Sequence, residues 1–328
     1  MLLHRTAAAL AAATLAVTTF GVAGGAHAAP VTTRIQPDRL DRGENPHVAY
    51  VLDGVFHNGE VRVDLGRGTR LLGSTAQGHV VEAPGPNQSR RGTKVVRIAA
   101  DGTRTVLLRR VRNDGMVMSR DGSRLFAVRF LVGRGENMRT RLKVWNLSGS
   151  KLLTDRVVGG YATPMAATRN RVWMSDWDRG TYTLNAKGRQ HTRVSRLVGS
   201  TVHLGAGLLA GYTKDPYDGG CTRIVRTARP RTVLWKSCDE RVAAFNPAGT
   251  GFASFGILVD GIGPNLVNTR RLRGALTGRY RTNWFGSIDW ENNRSVLLEA
   301  NGARARALVR CTAGECENAT DPTPATTP

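Results

Sequence analysis

Lysine is scarce in this chain: six residues, against 41 arginines, among 328. Acids are few as well. Asp and Glu number 25 against 47 Lys plus Arg, which leaves a formal net charge of +22. The basic residues are scattered and not gathered in one run. That pattern matches an Arg-, Ala- and Gly-rich composition as well as it matches a polyanion-binding surface. Catalytic signatures are missing. There is no Gly-x-Ser-x-Gly elbow, since Ser254 follows Phe252-Ala253, and no GxxxxGK[ST] or HExxH motif. No cofactor is expected on these grounds. His79, His191 and His203 each stand alone in a strand-like pattern; a general base needs a partner to orient it. His47 and His57 lack the acidic or Cys neighbours of a metal site, so no metal is expected.

Long apolar runs are also missing after residue 28; none approaches the ~20 residues of a membrane helix. The start is different. His4-Arg5, an uncharged stretch from Thr6 to Val22 and Ala26-His27-Ala28 have the form of a secretory signal peptide cleaved after Ala28. The mature product is therefore expected to be secreted, with no transmembrane segment. The four cysteines then belong to an oxidising compartment. Cys221 and Cys238 are spaced evenly about Arg229-Pro230, and Cys311 and Cys316 about Ala313-Gly314. Each pair is expected to face across one hairpin as a disulfide.

What the chain does have is short apolar runs broken by turns. From Gly115, runs near 116–118, 124–130, 141–146 and 151–158 alternate with Ser119-Arg120-Asp121-Gly122 and Leu147-Ser148-Gly149-Ser150. Asp-Gly and Ser-Gly offer the positive φ of tight turns, and Val, Leu, Phe and Trp favour strands. This stretch reads as one four-stranded antiparallel sheet. Similar four-run units occupy 69–109, 163–194, 196–238, 241–282 and 284–320, with starts spaced 37 to 50 residues apart. Four strands per roughly forty residues is the mark of a β-propeller. The prediction is an all-β propeller of six to seven blades over 47–320. Residues 29–46 read as a linker and 321–328 as a disordered tail. The hairpin HVAYVLDGVFHNGEVRVDL, 47–65, is expected to close the ring, by pairing with the last blade or as part of a seventh.

MSRDGSRLFAV (118–128) resembles the strand–turn–strand signature of Tol-type and WD-repeat-like propellers, with Arg120 where Pro is usual. FNPAGTGFAS (245–254) is a second match, with Ala248 in place of Asp. Asp289-Trp290-Glu291 with SVLLEA and ALVRCTAGEC is similar to the closing blade of a group of exported actinobacterial propeller proteins. The resemblance implies the fold and is nearly silent on activity, because propellers serve as platforms, scaffolds and enzymes alike.

In such a fold the turns between second and third strands gather on one face. Two of them attract attention. Asp176-Trp177-Asp178 places an aromatic between carboxylates, and Asp215-Pro216-Tyr217-Asp218 nearly repeats it one blade on. Such a platform suits a cation, a sugar or a peptide amine; it equally suits solvated turns with Asp as turn former. Arg270, Arg271, Arg273, Arg279 and Arg281, with Tyr280 and Trp284, form the densest basic stretch and a candidate polyanion site. Nucleic acid is not the expected partner. The reading that follows is a non-enzymatic binding or scaffold protein at the cell envelope. The alternatives are a secreted hydrolase or lyase acting in the channel, or a basic module for anionic wall polymers.

Overall fold

The computed structural model describes residues 31–85, 92–131, 138–189 and 191–325. The signal-peptide reading of 1–28 lies outside them. Seven antiparallel sheets follow one another along the chain as blades, over 50–64, 70–111, 115–159, 162–195, 198–237, 240–281 and 284–318. The first has three strands; the others have four laid side by side in chain order, to which the sheets of blades six and seven each add a fifth from outside the blade. The first strands of successive blades are neighbours, so they line a common centre. The chain is a seven-bladed β-propeller.

Residue type explains the layering. Middle strands such as Gly78–Ala83 (GHVVEA) and Leu208–Tyr212 (LLAGY) are apolar on both faces and are buried on both. Outer strands such as Lys151–Gly159 are mixed and mostly exposed. The core therefore lies between blades. Phe126, Val128 and Leu142 of blade three meet Val172, Met174 and Tyr182 of blade four. Each fully buried aliphatic or aromatic side chain of this kind contributes about 1.5–3 kcal/mol. No helix among the described residues is long and apolar enough to cross a membrane.

Turn chemistry follows the sequence closely. Asp53 and Gly54 both have positive φ, as a two-residue hairpin between Leu52 and Val55 requires. The Asp121 carboxylate accepts from the Ser119 hydroxyl at 2.6 Å and the Ser123 hydroxyl at 2.8 Å, and Gly122 takes φ 69°. In the turn 147–150 the positive φ falls on Ser150, at 52°, and not on Gly149.

Of the two expected roles for 47–65, pairing with the last blade is not what the strands do. The stretch 47–65 does not share a sheet with the last blade. It forms blade one by itself, as Tyr50–Leu52, Val55–Asn58 and Val61–Asp64. Val48 and Tyr50 pack on Leu297, Leu308 and Ala319 of blade seven. Phe56 and Val63 pack on Val81, Val96 and Ile98 of blade two. The residues read as a linker are docked: Thr32–Arg34 pairs in parallel with the outer strand Leu276–Arg281 of blade six, and Ile35 is fully buried. In the stretch read as a tail, Thr323–Pro324 pairs with Ala305 and Arg306.

An ion cluster fastens this seam. Arg310 donates to both oxygens of the buried Glu291, at 2.5 and 2.8 Å, to Glu317 at 2.6 Å, and to the carbonyls of Glu44 and Asn45. Glu291 also accepts from the His47 backbone N–H at 2.7 Å. Both disulfides form as the spacing predicts, Cys221–Cys238 and Cys311–Cys316.

Candidate binding face

The turns that connect second to third strands reach one face of the ring, together with the links from each fourth strand to the next blade. In blade four the turn is built by Asp176. Its Oδ1 accepts from the N–H groups of Asp178 at 2.9 Å and Arg179 at 3.0 Å. Asp176 is itself buried, and its second oxygen has no hydrogen-bond partner among the described residues. A Cβ on Gly160 would fall 2.2 Å from that oxygen, so a glycine is needed beside it. The turn leaves Trp177 at its tip, 49% exposed. The indole lies nearly parallel to the ring of Tyr212 in blade five, with centroids 6.3 Å apart.

Blade five repeats the device. Asp215 caps the 3-10 turn Pro216–Asp218 by accepting from the Tyr217 N–H at 2.9 Å, and Gly219 ends it at φ 80°. The disulfide at Cys221 ties the loop base to the outer strand of the same blade. Tyr217 is 67% exposed, and its hydroxyl donates to Asp260 in the loop of blade six. That hydrogen bond raises the phenol above its ordinary pKa. Leu258 and Ile262 of the blade-six loop are both more than half exposed. On the other side, Tyr161 stacks on Phe130 at 3.8 Å, at the junction of blades three and four. Asp178 and Asp218 are exposed on the same face.

The structure thus brings Trp177 and Tyr217 to one face, and adds Phe130, Tyr161, Tyr212, Leu258 and Ile262, which sequence reasoning missed. Their signal was weak. Each stands at a strand end or in a polar loop, and only the ring geometry sets them in one row. Of the four acids singled out with the aromatics, Asp176 and Asp215 shape the turns by capping backbone N–H groups.

The arginines of the basic stretch divide into one paired residue and four exposed ones. Arg270 is largely buried and forms a two-bonded ion pair with Glu240, at 2.6 and 3.0 Å. Burial pushes the Glu240 carboxyl up, but Arg270 and Ser254 outweigh it and hold the group below its usual range. Arg271, Arg273, Arg279 and Arg281 are exposed on the outer part of blade six, the last two beside Thr32–Arg34.

The centre of the ring holds a cavity of about 520 Å3 lined by Leu72, Met116, Met118, Met165, Val202 and His203. Bulges in the first strands shape it. The pairing skips Leu72, Met165, Ser200 and Ala243 in blades two, four, five and six. A bulge re-aims side chains that a regular strand would send into the sheet faces. His203 is fully engaged. Its Nδ1 accepts from the Ala206 N–H at 2.9 Å, and its Nε2 therefore donates to the Pro247 carbonyl at 3.0 Å. Arg70 pairs with Glu82 at 2.7 Å. Among the described residues, no group of three or more His, Cys, Asp or Glu is placed to hold a metal.

No protein family matches the chain, and no curated protein matches it in sequence. Solved structures do. The chain is similar to Pyrococcus horikoshii acylaminoacyl peptidase, with 12% identity and a TM-score of 0.57 over 81% of this chain and 47% of that one. It is similar to the Myceliophteria thermophila Cps50 (Swd1) β-propeller domain, at 10% identity and 0.53 over 84% and 90%. It is also similar to an oligogalacturonate lyase from Vibrio parahaemolyticus, at 10% identity and 0.50 over 81% and 89%. At such identities the likeness is one of fold alone. A peptidase, a lyase and a β-propeller domain share it.

Proposed function

We propose that this chain is an exported, non-enzymatic binding protein of the cell envelope, and that its working surface is the loop face of blades three to six. One observation carries the reading. Exposed Tyr161, Trp177, Tyr217, Leu258 and Ile262, from the junction of blades three and four and the loops of blades four, five and six, share this face, held from beneath by capped turns, a disulfide and stacked rings. Soluble monomers seldom expose contiguous apolar surface of this kind unless it is used. Tyr and Trp on rigid supports are the usual anchors of protein interfaces. The two disulfides and the signal-like N-terminus support the extracellular setting.

The test is co-sedimentation of residues 29–328 with envelope fragments at low and high salt. The expected result is retention at both, lost on Trp177→Ala with Tyr217→Ala. Retention that survives the double substitution refutes the loop face as the working surface.

The hydrolase or lyase reading has one observation in its favour. Asp289 stands on the first strand of blade seven with its side chain exposed, in surroundings crowded enough to push its carboxyl above the usual range, the direction a general acid needs. Turnover of an oligosaccharide that Asp289→Asn abolishes would move the working site to the first strand of blade seven.

A further inference from the structure

Between blades two and three, at the side of the ring, runs a cleft of about 410 Å3. It shares no residue with the aromatic face or with the basic stretch of blade six. Its lining includes Arg109, Arg110, Arg112, Arg129, Arg141 and Lys143, and no acid. Leu108, Val111 and Ala127 form a buried floor, and Trp145 is half-buried at its side. A basic composition alone scatters charge. It does not gather six cations around one concave site. Elsewhere the seam and interior arginines are neutralised, Arg270 by Glu240 and Arg310 by Glu291. Here one carboxylate, Asp155, is shared by Arg141 and Lys143, and Arg112 is also engaged. The guanidinium groups of Arg109, Arg110 and Arg129 have no ion pair or hydrogen bond among the described residues.

The backbone gives a second, independent sign. Thr93 is opposite Val111 and Val95 is opposite Leu108, so Arg109 and Arg110 together face the single residue Lys94. This is a bulge, and Arg110 in it takes φ 54°. A side-chain-bearing residue rarely adopts that conformation, and where it does the neighbourhood is often a functional one. The bulge also breaks the alternation that would send one of two consecutive side chains to the far face of the sheet.

We propose that this cleft binds a chain of closely spaced phosphates. Arginine forks match phosphate oxygens two at a time. Charge density decides between phosphates and acidic sugars. A uronic acid carries one carboxylate on a whole ring, whereas in a chain of phosphates every compact tetrahedron carries a charge and each terminal one about −1.5 to −2 at neutral pH. A small cleft with this many cations is matched by the second and left largely unneutralised by the first.

The test is calorimetric titration of residues 29–328 with inorganic tripolyphosphate, orthophosphate and trigalacturonate at low salt. Tripolyphosphate is expected to bind at least tenfold more tightly than either of the others, with affinity that falls steeply as salt rises. Arg109→Glu with Arg129→Glu should weaken it tenfold or more, and Arg271→Glu with Arg273→Glu on blade six less than twofold. Thermal melting checks that both variants fold. If the first pair does not fold, Arg109→Gln with Arg129→Gln takes its place with the same expectation. Equal losses from the two pairs would mean that net charge alone attracts the probe, and would overturn the site. Equal affinity for trigalacturonate would overturn the phosphate class. Absence of tripolyphosphate binding overturns both.

Discussion

Replacing Arg310 by Met should loosen the seam of the ring by an amount that the geometry sets. The Arg310 side chain is 11% exposed and that of Glu291 2%. Removing the cation strands a buried carboxylate, which typically costs about 3–5 kcal/mol. The limb to Glu317 adds little, because Glu317 is 43% exposed and such pairs contribute at most about 1 kcal/mol. An unfolding entropy near 2 cal/mol/K per residue gives about 0.6 kcal/mol/K for a chain of this size, so Tm should fall by roughly 5–8 °C at pH 7. The pH dependence carries the sharper test. In the native protein burial pushes Glu291 up, but hydrogen bonds from Arg310 and His47 win and hold it low. A lowered carboxylate stabilises the fold above its unfolded pKa of about 4.3, and loses that contribution as pH falls through the folded value. In Arg310→Met the His47 N–H alone remains to oppose burial, so Glu291 becomes a destabilising charge that protonation relieves. The gap between the two proteins should therefore shrink as pH falls below about 5. Glu291→Leu combined with Arg310→Met should recover part of the loss. Scanning calorimetry at pH 7 and pH 4.5 measures both. A gap that stays constant with pH, or a double variant no better than the single one, refutes the buried-charge reasoning.

Other expectations follow from the same contacts. Cys221→Ser with Cys238→Ser should cost about 3 kcal/mol and Cys311→Ser with Cys316→Ser about 2 kcal/mol, from the loop entropies of 17 and 5 residues, read as midpoints of chemical unfolding. Gly122→Ala should destabilise by more than a typical turn substitution, since φ is 69° and the new Cβ would lie 2.4 Å from Thr75; a thermal shift of under 1 °C contradicts this. His57 is stacked on Tyr50 at 4.6 Å; burial, then Arg62, lowers its pKa below 6.5. Its contribution to stability should be present above pH 6.5 and decline as pH falls through the folded value, and NMR titration of the ring reports the midpoint directly.

The strands and most turns were legible because each carries its own local signature. Asp53-Gly54 and Asp121-Gly122 turn where such pairs must, and the units from 69 onward become blades two to seven. The disulfides were legible because hairpin symmetry fixes which positions oppose. What escaped reading depends on contacts between blades. Blade one shows only as a hairpin in sequence; it qualifies as a third sheet strand richer, and as a blade, only through Tyr50 against Leu308 and Phe56 against Val96. The docking of Thr32–Arg34 on Leu276–Arg281 is hidden for the same reason, since the two segments lie some 245 residues apart. At the candidate face, Trp177 and Tyr217 stood out by composition, but Tyr212 and Asp260 matter only as their neighbours in space. Arg270 illustrates the converse. A dense basic run in sequence became a paired interior residue and four outward ones, while the unpaired arginines of blades two and three drew no notice.

The seam has a consequence for synthesis. A ribosome delivers Ile35, Val48 and Tyr50 early, and the surfaces that cover them come from residues 267–319, almost at the end. Until those arrive, the first blade has one apolar flank open and the segment before it has no strand to join. A chain interrupted in its last forty residues would thus be damaged at both ends at once. It would expose sticky surface beside its N-terminus, a state that proteases and holdases are suited to find.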